Sequence, residues 1–170
     1  INFLNGVIWL KDGTDLTVKS NGGAITINSI MGEAENDADV ILNADAAVDT
    51  TGENVTVGAI GSGNEIAAVT IAGRDGITLK GNITLSNKAG SDLDIDGAVT
   101  IDGSVTIDTD NASADRSGTT VHEDGDINFS TTINGAGGTS DDLTLTSGSG
   151  TLTLGGIIGG STPLDSFTVN

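Results

Sequence analysis

Four groups of residues have types and spacings that could do chemistry. Asp92-x-Asp94-x-Asp96-Gly97 alternates carboxylates before a glycine, as the opening of a calcium loop does, where hard oxygen ligands converge on the ion. The position that would supply the closing bidentate Glu of an EF-hand is Gly103, so the motif is not that one. Asp108, Asp110, Asn111, Asp115, Glu123, Asp124 and Asp126 form a second acidic stretch, relieved only by Arg116. A divalent cation would lower its self-repulsion, which makes Asp92, Asp94, Asp96, Asp108, Asp110 and Asp115 candidate calcium ligands. Glu33, Glu35, Asp37 and Asp39 form a third group, beside a run to Ala47 that could fold as a short helix. All three groups are also explained as turn residues facing water. The fourth is His122, the one histidine, followed by Glu123 and Asp124. A Ser–His–Asp triad needs a nucleophile, and no Gly-x-Ser-x-Gly elbow frames a serine. Catalytic residues are therefore expected to be absent.

The elements that must position these groups are short strands. Val, Ile and Thr make up 52 of 170 residues, there are 26 Gly, and the acids are 19 Asp to 5 Glu. β-Branched residues suit strands, and Asp favours turns where Glu favours helix. One cassette recurs: an apolar–polar–apolar triplet closed by Gly, Asn or Asp. Its copies include Ile77-Thr78-Leu79, Ile83-Thr84-Leu85, Leu93-Asp94-Ile95, Val99-Thr100-Ile101 and Val105-Thr106-Ile107. Alternation within each triplet sends the apolar pair to one face and the Thr or Asp to the other. Several copies start six residues apart, too close for ordinary hairpin-linked strands, so the chain must turn corners. A β-sandwich would need longer strands and large aromatic anchors, yet only 3 Phe and 1 Trp are present. The expected fold is all-β: a single-stranded parallel β-helix, or β-solenoid, wound right-handed. At about 20 residues per coil it makes roughly eight coils. One domain spans 1–170, within which 1–43 resembles 127–170: Ile1-Asn2-Phe3 recurs as Ile127-Asn128-Phe129, and Leu16-Thr17-Val18 as Leu143-Thr144-Leu145.

The stretch from Asp126-Ile127-Asn128-Phe129 through Leu143-Thr144-Leu145-Thr146-Ser147-Gly148-Ser149-Gly150 to Leu154-Gly155-Gly156-Ile157-Ile158-Gly159-Gly160 resembles the repeats of large bacterial surface adhesins related to filamentous haemagglutinin. The likeness is best over 126–170 and weaker over 1–110. It implies a right-handed β-helical shaft, exported to the cell surface or medium, that serves adhesion, matrix or fibre roles without chemistry. Surface polysaccharide or a host receptor is the kind of ligand such a shaft meets.

Charge and composition narrow the partners. A net charge of −18 repels phosphate backbones and anionic membranes, so nucleic acid is not an expected partner. There is no Cys for disulfides or thiolate chemistry, and no apolar run approaches the roughly 18 residues of a membrane span. Residue 1 is not Met and no signal peptide precedes it, so the chain reads as a mature or excised piece of a longer precursor. A carbohydrate-binding or carbohydrate-active β-helix is an alternative, but Trp9 is the one Trp and there is no Tyr to stack on sugar. A calcium-dependent adhesin module is another. Outward Thr pairs such as Thr144/Thr146 and Thr151/Thr153 could order water, but they do not recur at one constant interval.

The termini are the most informative feature. The chain opens Ile1-Asn2-Phe3-Leu4, continues to Trp9, and closes Phe167-Thr168-Val169-Asn170, with no polar cap at either end. A stacked coil left bare exposes strand edges and apolar interior. Ile1, Phe3, Trp9, Phe167 and Val169 are therefore candidate junction residues. They would mate with another copy stacked head to tail, or with flanking repeats of a longer chain. The expected role is a structural one outside the cell.

Overall fold

The computed structural model describes residues 1–33, 38–45, 52–86, 90–110 and 124–170. Among them are seventeen strands and no helix. In chain order they are β1 (Asn2–Phe3), β2 (Ile8–Leu10), β3 (Leu16–Lys19), β4 (Ile25–Gly32), β5 (Val40–Asn43), β6 (Asn54–Ile60), β7 (Val69–Ala72), β8 (Gly76–Leu79) and β9 (Ile83–Thr84). They continue with β10 (Leu93–Asp96), β11 (Val99–Ile101), β12 (Ser104–Asp108), β13 (Ile127–Phe129), β14 (Ile133–Gly135), β15 (Asp142–Thr146), β16 (Leu152–Leu154) and β17 (Ser166–Val169). The triplets read from the sequence are strands β8 to β12. The run toward Ala47 is not helical where it is described, because Val40–Asn43 is strand β5.

Every strand pair is parallel. An 11-stranded sheet contains a fork, and a 6-stranded sheet runs β16-β13-β10-β7-β5-β3. The fork arises because β4 and β6 are long enough to serve two branches: Ile25–Ile27 pairs with Val55–Val57, and Ile30 with Ile60. The first branch continues through β8, β11 and β14 and the second through β9, β12, β15 and β17. The chain visits first branch, second branch and smaller sheet in fixed rotation, and one circuit is called a pass below.

Most pairing steps advance the chain by 22 to 24 residues, as from Val55 to Ile77 and from Leu16 to Val40, slightly more than the 20 expected per coil. The smaller sheet accordingly has six strands where eight coils were expected. Longer steps occur where residues outside the described set intervene: Val40 to Val69 spans 29 and Leu93 to Ile127 spans 34. Register is the same on both sides of these insertions, because a slip of one residue would turn every apolar side chain to water.

Register lines the inward residues into columns. One runs Leu16, Val40, Val69, Leu93, Ile127, Leu152 and its neighbour runs Val18, Leu42, Ile71, Ile95, Phe129, Leu154. The central members are buried in one continuous apolar cluster, and the polar residue between them faces out. Parallel strands lie about 4.8 Å apart, so branched side chains of one type pack on their own kind above and below. The corners must permit the same close approach. At Gly61, with φ of 73°, an added Cβ would fall inside the contact envelope of the Thr84 carbonyl oxygen; at Gly125 it would meet that of Ser91.

The two parts of the internal sequence match occupy different sheets. Asn2-Phe3 pairs within the large sheet, whereas Ile127-Asn128-Phe129 lies in the small one. The shared feature is the strand cassette rather than a shared place in the architecture.

Truncating a column should be costly and truncating the outer face should not. Phe129→Ala is expected to lower the unfolding free energy by about 3–5 kcal/mol in urea titration, and Thr78→Ala by less than about 0.5 kcal/mol.

Candidate functional site: the two open ends

The candidate ligands are engaged in holding successive passes together. Asp92 Oδ1 accepts the backbone N–H of Asp126 at 2.8 Å, and Asp126 Oδ1 accepts that of Thr151 at 2.6 Å. Asp15 Oδ1 does the same for Asp39 N at 3.0 Å. All sit at the corner that leads into the smaller sheet. Asp94 accepts from Asn128 Nδ2 at 3.2 Å and Asp96 from Ser130 Oγ at 2.9 Å, both on the following pass. Asp124 Oδ2 accepts from both the N–H and the hydroxyl of Ser149. Aspartate suits this task because its short side chain reaches the next strand's donors from a turn. Lys80 and Asp102 form an ion pair between passes in the same way.

Among the described residues no group of three or more acidic or histidine side chains is placed to hold a metal ion. Asp92, Asp94 and Asp96 lie along β10 and its entry, and Asp108 and Asp110 lie at the end of β12. Asp115, Glu35, Asp37, His122 and Glu123 fall outside the described residues. A groove of about 470 Å³ crosses the first passes, lined by Leu4, Asn28, Ser29, Thr56, Gly58 and Lys80 among others, and no carboxylate lines it.

Two carboxylates have displaced pKa values of opposite sign. Burial pushes Asp108 up from the usual aspartate value; the N–H of Asp110 opposes this, and the Asp110 charge adds to it. Burial acts on Asp141 in the same direction, but the N–H groups of Gly103, Gly138, Gly137 and Ala136 outweigh it and hold the carboxyl below the ordinary value. Three of those bonds measure 3.3, 2.9 and 2.8 Å, for Gly103, Gly138 and Gly137 respectively. Asp141 thereby folds the Gly135–Gly138 segment around itself. Its own N–H is accepted by Asp165 Oδ2 at 2.9 Å, which pins the entry of β17.

Large apolar side chains are exposed almost entirely at the two ends of the strand stack. At the head, β1 and β2 pair only with β4, and β3 is an edge of the smaller sheet. Ile1, Phe3, Leu4, Val7 and Trp9 are exposed there. At the tail, β16 and β17 are edges, and Ile157, Phe167 and Val169 are exposed. Elsewhere only Ile41 qualifies, at 36%. Four of the five expected junction residues cap inward columns. Phe3 is in register with buried Ile27, Phe167 with Leu143 and Val169 with Leu145, while Ile1 precedes Asn2, the partner of Thr26. Their exposure follows from a missing neighbour strand, not from facing outward.

Trp9 differs. Between inward Ile8 and Leu10 it points to the flank and is 60% exposed, so it stands on the rim of the head rather than in its apolar centre. Sequence reasoning missed Ile8, Leu16, Leu152 and Ile158, which end columns but are half-buried. The signal for them was the register of the columns, which triplet spacing alone does not supply.

No family model, curated protein or solved structure matches the chain.

The pKa displacements fix two pH responses. A lowered folded pKa makes the Asp141 contribution fully present above the unfolded value of about 3.9 and lost as pH falls through the folded one. A raised folded pKa makes ionised Asp108 a cost at neutral pH that is relieved below the unfolded value. Asp141→Asn should therefore lower the urea midpoint at pH 7 and matter progressively less in acid. Asp108→Asn should raise the midpoint at pH 7, and that gain should fade below about pH 4.

Proposed function

We propose that the chain is a β-solenoid module of an extracellular shaft or fibre, wound right-handed and extended by end-to-end stacking on a neighbouring module. The fixed rotation through three ladders, the uniformly parallel pairing and the column register support the solenoid reading. Right-handed winding follows the general preference of parallel crossovers. The observation that carries the functional reading is the confinement of exposed large apolar residues to the two ends of the strand stack, beside strand edges with hydrogen-bonding groups to offer. Such edges template further strands.

Charge supports axial rather than lateral contact. Residues 1–32 carry Lys11 and Lys19 against Asp12 and Asp15, and after Asp142 the only charged side chain is Asp165. All but one of the net 18 negative charges therefore lies in between. Flanks repel flanks, while the head and the tail approach with little electrostatic work. A heterologous contact between unlike ends does not close on itself, so repetition yields a thread. The resemblance to filamentous-haemagglutinin-like repeats agrees with a shaft at a bacterial surface or in its medium. The neighbouring module is another copy or a flanking repeat. The part so described is structural and is proposed to catalyse nothing.

Negative-stain microscopy of the purified chain at rising concentration should show unbranched threads one module wide. Phe167→Asp should raise the concentration needed for threads by at least about tenfold, because it buries an unpaired charge at the contact, and Thr78→Asp on a flank should leave that concentration unchanged. Short discrete particles at every concentration would contradict the reading.

A further inference from the structure

The two ends of residues 1–170 do not match strand for strand. The first branch has seven rungs, from β1 to the isolated parallel bridge of Ile158 with Ile133. The second branch also has seven, from β2 through both long strands to β17. The smaller sheet has six, from β3 to β16. Because the order of visits is first branch, second branch, smaller sheet, the odd strand is missing at the tail: the seventh pass ends with β17, and β16 belongs to the sixth.

We propose that a second copy of the chain docks head to tail in one setting only, with its Ile8 beside Val169, and that this junction leaves a slot one strand wide between β16 of one copy and β3 of the next. This rests on the stacking read above and adds its register and its gap. The second-branch column runs Ile8, Ile30, Ile60, Ile83, Ile107, Leu145, Val169 in unbroken register. Both of its ends are apolar, and Val169 is 49% exposed. Setting Ile8 of a new copy on Val169 continues that column and brings Ile1 over Ile158 in the first branch. The alternative, β3 directly on β16, would drive β1 and β2 into the space that Ile158 and β17 already occupy. Sterics therefore select the first setting, and the near-neutral ends permit it.

The slot has a definite size. Adjacent parallel strands are about 4.8 Å apart, so β16 and the incoming β3 are separated by about 9.6 Å, twice that spacing. Each junction would then present two facing parallel edges in the smaller sheet. Leu152 and Leu154 on one side, and Leu16 and Val18 on the other, offer apolar contact to a strand of alternating pattern inserted between them.

The absence of Cys permits a direct test with pairs of single-cysteine chains mixed under mild oxidation. Disulfides need Cα atoms within about 7 Å. Ile8→Cys mixed with Val169→Cys should give a disulfide-linked dimer in at least roughly tenfold greater yield than Leu16→Cys mixed with Leu152→Cys, because only the first pair falls within that limit. Thr17→Cys mixed with Thr153→Cys, on the exposed flank of the same two strands, repeats the second measurement without touching the core and should also fail to link. Threads with linkage across Leu16/Leu152 or Thr17/Thr153, or without linkage across Ile8/Val169, would overturn the register while leaving stacking intact. Absence of threads and of every linkage would overturn both.

Discussion

The structure depends on one constraint: each inward side chain packs on the residue one pass above and below it, at the spacing of parallel strands. Everything else is what that spacing requires. A repeat of about 4.8 Å leaves room for aliphatic side chains stacked in file, which is why Ile, Val and Leu dominate the columns and Phe129 is their one fully buried aromatic member. Where the chain turns, the same spacing brings backbone against backbone, and residues such as Gly61 and Gly125 have no side chain because a carbonyl oxygen of the neighbouring pass stands where Cβ would be. The polar member of each triplet, facing out, is free of the packing constraint and varies between Thr, Asp and Asn.

Aspartate does a second job within this scheme. Turn donors that a two-stranded hairpin would satisfy locally are met by carboxylates from adjacent passes, as Asp92 meets Asp126 N and Asp126 meets Thr151 N. Charge-assisted bonds of this type offset the repulsion of stacked acids. They leave a polypeptide of high negative charge whose carboxylates are largely structural, and whose flanks stay apart in solution. Asp141 shows the balance most clearly, since burial alone would neutralise it and converging N–H groups keep it ionised.

The strands were legible because the triplet is a local signal. Ile77-Thr78-Leu79 and Leu93-Asp94-Ile95 alternate, are β-branched or aliphatic, and end at turn residues; each is a strand with its apolar pair buried. Pass length was less legible, because segments such as the one between β12 and β13 lengthen a step without altering register, and composition does not separate an insertion from a strand. The similarity of 1–43 to 127–170 follows strands into different sheets for the same reason: one cassette serves all three ladders. The acidic groups were legible as clusters but not in their role. A carboxylate bound to a neighbouring pass and one awaiting a cation have the same sequence, and only the pairing partner, 24 to 34 residues away in the cases of Asp15 and Asp92, distinguishes them. The ends were legible because an apolar strand without a following cap is unusual, although Trp9 was placed in the centre of the head when alternation sends it to the flank.

The account makes the central passes self-sufficient and the end strands incomplete until another module covers them. Amide hydrogen exchange followed as a function of protein concentration separates the two. Amides of β6, β8 and β11 should be protected at every concentration, while those of β1, β2 and β17 should exchange quickly in dilute solution and gain protection, by tenfold or more on the scale of a paired edge, as modules stack. End strands that are as protected as the centre in dilute solution, or that stay unprotected when concentrated, would contradict a stack with bare, mutually completing ends.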